Sequence, residues 1–171
     1  MKKYLPVLIL IILGTSCRIL PHPANFAPIG AIALFGAMYL PKKWLILPLL
    51  AMLISDFFIG FYSLPIMFSV YGSFALIGII GIYVKKNKKF RTILGGTVLG
   101  SILFFLITNW AVWAFGAMYA PTMQGLMTSY YMALPFFRNT LFGDLFYTSV
   151  LVVIMELLIA RSTVRQVSAK I

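Results

Sequence analysis

Three stretches of this chain, Trp44 to Tyr62, Thr92 to Phe115 and Leu141 to Ala160, are nearly unbroken runs of apolar residues. A helix crossing roughly 30 Å of hydrocarbon needs about 20 such residues. Backbone placed in lipid must also satisfy its own hydrogen bonds, which a helix does internally. The runs therefore predict membrane helices and exclude most soluble folds. Composition agrees: 62% of the residues are hydrophobic and 10% are charged, against about 45–50% apolar and 25% charged in soluble domains.

Three further runs extend the pattern. Ile66 to Val84 ends in a basic cluster running from Lys85 to Arg91, and Tyr4 to Leu20 and Phe26 to Leu40 are shorter. Tyr4 to Leu20 reaches spanning length when Arg18 snorkels outward. The expected architecture is all-α: six transmembrane helices in one bundle, in a single domain over 1–171. The spans are 4–20, 26–40, 44–62, 66–84, 92–115 and 141–160, with a long outer loop at 116–139 that carries a short amphipathic helix near Met123 to Leu134.

Charge placement tests that count. With both termini cytoplasmic, the inner segments hold Lys2, Lys3, Lys42, Lys43, the five cations from Lys85 to Arg91, and Arg161, Arg165 and Lys170. Those are twelve of the fourteen basic residues, and only Arg18 and Arg138 fall outside, as the positive-inside rule requires. The net charge of +11 is thus topological. It marks contact with anionic lipid headgroups and points away from nucleic acid. The expected location is the bacterial cytoplasmic membrane. A rival reading takes Met1 to Cys17 as a lipoprotein-type leader, with Gly14 standing where such leaders carry leucine; cleavage there leaves five helices in the same orientation.

Chemistry is tightly limited. One cysteine, Cys17, and one histidine, His22, exclude internal disulfides and paired-histidine zinc motifs. Asp56, Asp144 and Glu156 are the only carboxylates. No nucleophile elbow and no phosphate-cradling loop occurs, so an enzyme is not expected, nor any cofactor or metal.

The polar residues cluster by depth. Asp56 lies about six residues, roughly 9 Å, inside the outer end of the third span, too deep to snorkel. Arg18, His22, Asn25, Asn109, Trp110, Trp113, Arg138, Asn139 and Asp144 all fall in the outer third or outer loops. Together these ten predict an outward-facing, aromatic-walled pocket for a small molecule, with Asp56 turned toward Asn109 and Arg138. Each also has a plainer reading. Asp56 serves equally in an ion pair, the tryptophans in an interfacial belt, and Asp144 in the first turn of a helix capped by Asn139 or Thr140. Glu156 lies near Arg161 at the inner boundary. Ala33 with Ala37, and Gly96 with Gly100, have the spacing of close helix packing.

The run from Arg18 to Gly36 (RILPHPANFAPIGAIALFG) resembles an uncharacterised family of small bacterial membrane proteins. So do Ser55-Asp56, Val70 to Ala75, Thr108-Asn109-Trp110, Leu134 to Thr140, and Gly143-Asp144. That family in turn is similar to the S-components of energy-coupling factor transporters in size, helix number and topology. The resemblance implies a subunit that binds a vitamin-like micronutrient from outside, with a separate energy-coupling membrane protein and ATPase subunits as partners. The Ala-x-x-x-Ala docking pattern of such subunits is missing from the first span. A membrane scaffold or assembly protein without transport activity is the alternative, and an ion channel a further one.

Overall fold

The computed structural model describes residues 5–21, 23–41 and 45–168, with side chains described for 9–21, 23–41 and 45–161. Among these residues the chain is all-helical, with six helices: α1 Leu5–Ile19, α2 Ile29–Tyr39, α3 Leu47–Ile59, α4 Leu64–Lys85, α5 Phe90–Phe115 and α6 Met123–Ser168. His22, Lys2, Lys3, Lys42, Lys43 and Lys170 lie outside the described residues, as does the side chain of Arg165.

Prolines and glycines set most of the boundaries. Pro28 precedes α2 as its N-cap residue and Pro41 follows its end. Pro48 and Pro65 sit in the first turns of α3 and α4, where a missing N–H costs nothing. Gly60 ends α3 with φ 109°, a conformation that costs glycine no side-chain clash. Its N–H donates to the Asp56 carbonyl at 2.9 Å.

The helices form two classes. α4, α5 and the Met123–Arg161 part of α6 are long and apolar enough to cross a membrane. α1, α2 and α3 have 15, 11 and 13 residues, and at 1.5 Å per residue α2 is only about 16 Å long. The short α2 is the core of the bundle. Residues Ile29 through Met38 are all buried, against α4, α6, α3 and α5. A helix apolar on every side has no solvent face to present.

Small residues let these helices approach. A Cβ on Gly81 of α4 would lie 2.6 Å from both Ala37 Cβ and the Leu34 carbonyl oxygen of α2. Gly96 and Gly100 of α5 face Val84 and Ile77 of α4, so their four-residue spacing marks a helix–helix seam. Outside, Phe57, Phe58, Phe68, Leu99, Phe142 and Leu157 are more than half or close to three-quarters exposed. Large rings and aliphatic chains spread over several helices in this way suit a lipid environment and not water.

Residues 116–139, expected as an outer loop with a short helix near Met123 to Leu134, do hold helix from Met123, but it is the first part of α6, which runs without a break through Pro135. Proline inside a helix removes a hydrogen bond and costs about 3 kcal/mol. Packing against α5 on both sides of the proline offsets that cost. Ser129 Oγ donates to the Asn109 carbonyl at 3.0 Å and Tyr130 Oη to the Leu106 carbonyl at 2.8 Å. Phe105 meets Tyr130 and Phe137 with ring centroids 5.5 and 4.7 Å apart. Tertiary contact overrides local propensity here.

Candidate functional site: a cavity near two buried carboxylates

Asp56 is 1% exposed and joins three helices. Arg18, in the last turn of α1, places Nη1 2.7 Å from Asp56 Oδ1. The same nitrogen donates to the Met52 carbonyl at 3.2 Å and to Ser55 Oγ. Tyr71 Oη of α4 donates to Asp56 Oδ2 at 2.8 Å. Oδ1 receives no hydrogen bond of good angle, so the Arg18 charge is what compensates it. A buried carboxylate is tolerable in an apolar bundle only with such a partner.

Asp144 solves the same problem differently. It is 5% exposed and lies well inside α6, not in a first turn capped by Asn139 or Thr140. Thr140 Oγ1 instead donates back to the Phe136 carbonyl at 3.0 Å. Asp144 reaches the N-terminus of another helix, α2. The Ala31 N–H donates to its carboxylate, and Ser101 Oγ of α5 donates to Oδ2 at 2.7 Å. Pro28, the N-cap residue of α2, has no side-chain acceptor to offer, so Asp144 supplies one from across the bundle. A helix N-terminus carries about half a positive charge and orphaned N–H groups, both satisfied by an anion. Gly30 makes room: a Cβ there would lie 2.5 Å from Asp144 Oδ1.

Asp144 and the Arg18 partner of Asp56 both line a cavity of about 250 Å³. Its polar lining is Arg18, Asn25, Tyr62, Thr140 and Asp144. Met52, Val70, Phe74, Phe104 and Ile29 supply most of the rest, and Phe74 meets Phe104 with centroids 5.0 Å apart. A second cavity of about 200 Å³ adjoins it, sharing Asn25, Phe104 and Thr140 and adding Asn109, Phe105 and Phe137 among others. Asn25, at the wall of both, holds φ 63°, a left-handed conformation that asparagine tolerates better than most residues.

The ten candidate residues separate into groups. Arg18, Asn25 and Asp144 line the first cavity, and Asn25 and Asn109 the second. Asp56 stands behind Arg18, outside the lining. The expected grouping of Asp56 with Asn109 and Arg138 is not what the structure holds, since its partners are Arg18 and Tyr71. Arg138 is exposed and lies over the Phe142 ring at 6.0 Å. Asn139 Nδ2 donates to the Ala24 carbonyl at 3.0 Å and anchors the loop before α2. Trp113 Nε1 donates to the Ala120 carbonyl at 3.0 Å across the α5–α6 turn, and half-exposed Trp110 meets Phe115 edge-on. His22 lies outside the described residues.

Sequence reasoning missed Tyr62, Phe74, Phe104 and Thr140 on the cavity wall, and Tyr71 and Ser101 behind it. Tyr71, Phe74 and Thr140 stand in stretches that carried the family resemblance, which was their available signal. Phe104 and Ser101 had none, because apolar and hydroxyl residues inside a span are unremarkable until a neighbour is placed beside them. Among the described residues no group of three His, Cys, Asp or Glu side chains comes together.

Helices long and apolar enough to cross a bilayer, carrying exposed apolar side chains around a buried polar centre, define a helical membrane protein. Residues 1–167 match the family of unknown function DUF6580, and the chain belongs to that family. No curated protein and no solved structure matches it.

Proposed function

We propose that this protein is a membrane-embedded binding subunit for uptake of a small organic micronutrient, taken from the extracytoplasmic side. The observation that carries the reading is the cavity of about 250 Å³ lined by both charged and aromatic side chains. Small-molecule sites are concave, mostly apolar and furnished with a few convergent polar groups. With its neighbour of about 200 Å³, the cavity offers space for a compact ring compound.

Orientation follows from charge. The chain crosses the bacterial cytoplasmic membrane six times with both ends inside, and α1 to α3 contribute short crossings, that of α2 buried along nearly its whole length. Supporting this, Val70 and Phe74 of the cavity lie in the first half of α4, while Lys85 to Arg91 cluster beyond its far end. The cavity then opens away from the basic side. The likeness to energy-coupling factor S-components belongs to this proposal: a separate energy-coupling membrane protein with ATPase subunits drives release. The competing reading, a scaffold, draws on the fact that Asp56 and Asp144 both find partners inside the bundle, which ties helices together without any ligand.

The test is the thermal stability of the purified protein against a panel of vitamins and their precursors. A ligand bound by the folded state alone raises Tm. At least one compound is expected to do so, and Val70→Phe, which fills the cavity, is expected to remove the rise while the protein still inserts. A panel that moves nothing, together with co-purification of envelope-assembly proteins in place of ATPases, favours the scaffold.

A further inference from the structure

We propose that the ligand of the first cavity is a small organic cation, held by the Asp144 carboxylate and the rings of Phe74, Phe104 and Tyr62. The inference rests on the cavity being a ligand site and adds the chemical class of what fills it.

Three ionisable groups stand at or beside the cavity: Arg18, Asp56 and Asp144. Arg18 and Asp56 approach to 2.7 Å and neutralise each other. Asp144 has no basic side chain against it among the described residues; it accepts from the Ser101 hydroxyl and the Ala31 N–H. The N-terminus of α2 offsets about half an elementary charge. Ionised Asp144 therefore places a residual negative charge beside a largely apolar space, where a low dielectric strengthens its attraction for a cation, and a bound cation in turn favours the ionised form.

The walls have the same preference. Aromatic faces carry negative electrostatic potential and attract cations within about 6 Å of the ring centroid. Phe74 and Phe104 pack on one another, with centroids 5.0 Å and planes 34° apart, and form one wall of the space, and Tyr62 adds a third ring to the lining. A carboxylate beside aromatic faces is a recognition set for an ammonium or a protonated ring nitrogen. An anionic ligand fares worse. On Arg18 it competes with Asp56 for one guanidinium, and it enters a space that already holds the Asp144 charge.

The experiment uses the full chain in nanodiscs of neutral lipid, with three probes of similar shape at equal millimolar concentration: 2-phenylethylamine, 2-phenylethanol and 3-phenylpropionate. The amine is expected to raise Tm by about 3 °C or more, with the alcohol and the acid giving less than about a third of that. Asp144→Asn and, independently, Phe104→Leu are each expected to remove most of the amine response; the second variant serves if the first folds poorly. A larger rise with the acid or the alcohol overturns the cation class and leaves the cavity as a ligand site. An amine response that survives both substitutions overturns the assigned anchor. If none of the three probes moves Tm, the cation class fails, and the vitamin panel decides separately whether the uptake reading fails with it.

Discussion

Two buried carboxylates stand near one cavity, Asp144 on its wall and Asp56 behind Arg18, and they are stabilised by opposite means. Asp56 is paired with a full charge, Arg18, brought from α1 to α3. Asp144 is held by a hydroxyl, a backbone N–H and the end of α2. The first arrangement is a closed ionic unit, while the second leaves a carboxylate with spare lone pairs on the wall of an open space. The difference separates a structural tie from a group able to meet a ligand.

The largest expected effect comes from breaking the closed unit. Asp56→Asn keeps the shape of the side chain and strips its charge, leaving the Arg18 guanidinium without a counterion. Removing one partner of a buried pair costs about 3–5 kcal/mol, and a large fall in thermal stability is expected. Replacing both residues by leucine is expected to recover much of the loss, because no charge is then stranded. A double variant as unstable as Asp56→Asn would show that the cost lies in packing and not in the ion pair.

Next in size is Gly30→Ala. The added methyl would fall 2.5 Å from Asp144 Oδ1, so the carboxylate must leave the N-terminus of α2 or the helices must separate. Overpacking of this kind costs about 1–3 kcal/mol. Chemical denaturation of the purified variant measures it. An unchanged midpoint would mean that Asp144 does not hold α2 as described.

These contacts mark where the sequence could be read and where it could not. The spans at 66–84 and 92–115 come within two residues of α4 and α5 at each end, because long apolar runs flanked by lysines and small residues leave little choice of boundary. α6 joins the expected short helix near Met123 to Leu134 and the expected span at 141–160 across a segment that reads as loop. Pro135, with the polar residues Arg138 and Asn139 after it, has the composition of a loop, and only the aromatic packing of Phe105 with Tyr130 and Phe137 makes it helix. Once it is helix, the faces rearrange. Asn139 and Gly143 are four apart and both meet the 24–26 loop. Arg138 is six residues from Asp144, roughly 240° around the axis, and so turns elsewhere. Depth along the spans groups these polar residues, but which of them touch is set by helix rotation, which hydropathy does not carry.

The smallest expected effect completes the comparison. Asp144→Asn makes the same chemical change as Asp56→Asn, yet it strands no cation. The amide oxygen still accepts from the Ala31 N–H. Ser101 Oγ, which also lies 3.1 Å from the Thr97 carbonyl, can donate there and accept from the new NH2 group. What is lost is the attraction between a full negative charge and the end of α2, about 1 kcal/mol for a buried but singly oriented pair. Measured side by side, the two isosteric substitutions should differ by a factor of about three or more in stability cost. Equal costs would mean that Asp144 is as tightly committed to the fold as Asp56, leaving no carboxylate at the cavity wall to spare for a ligand.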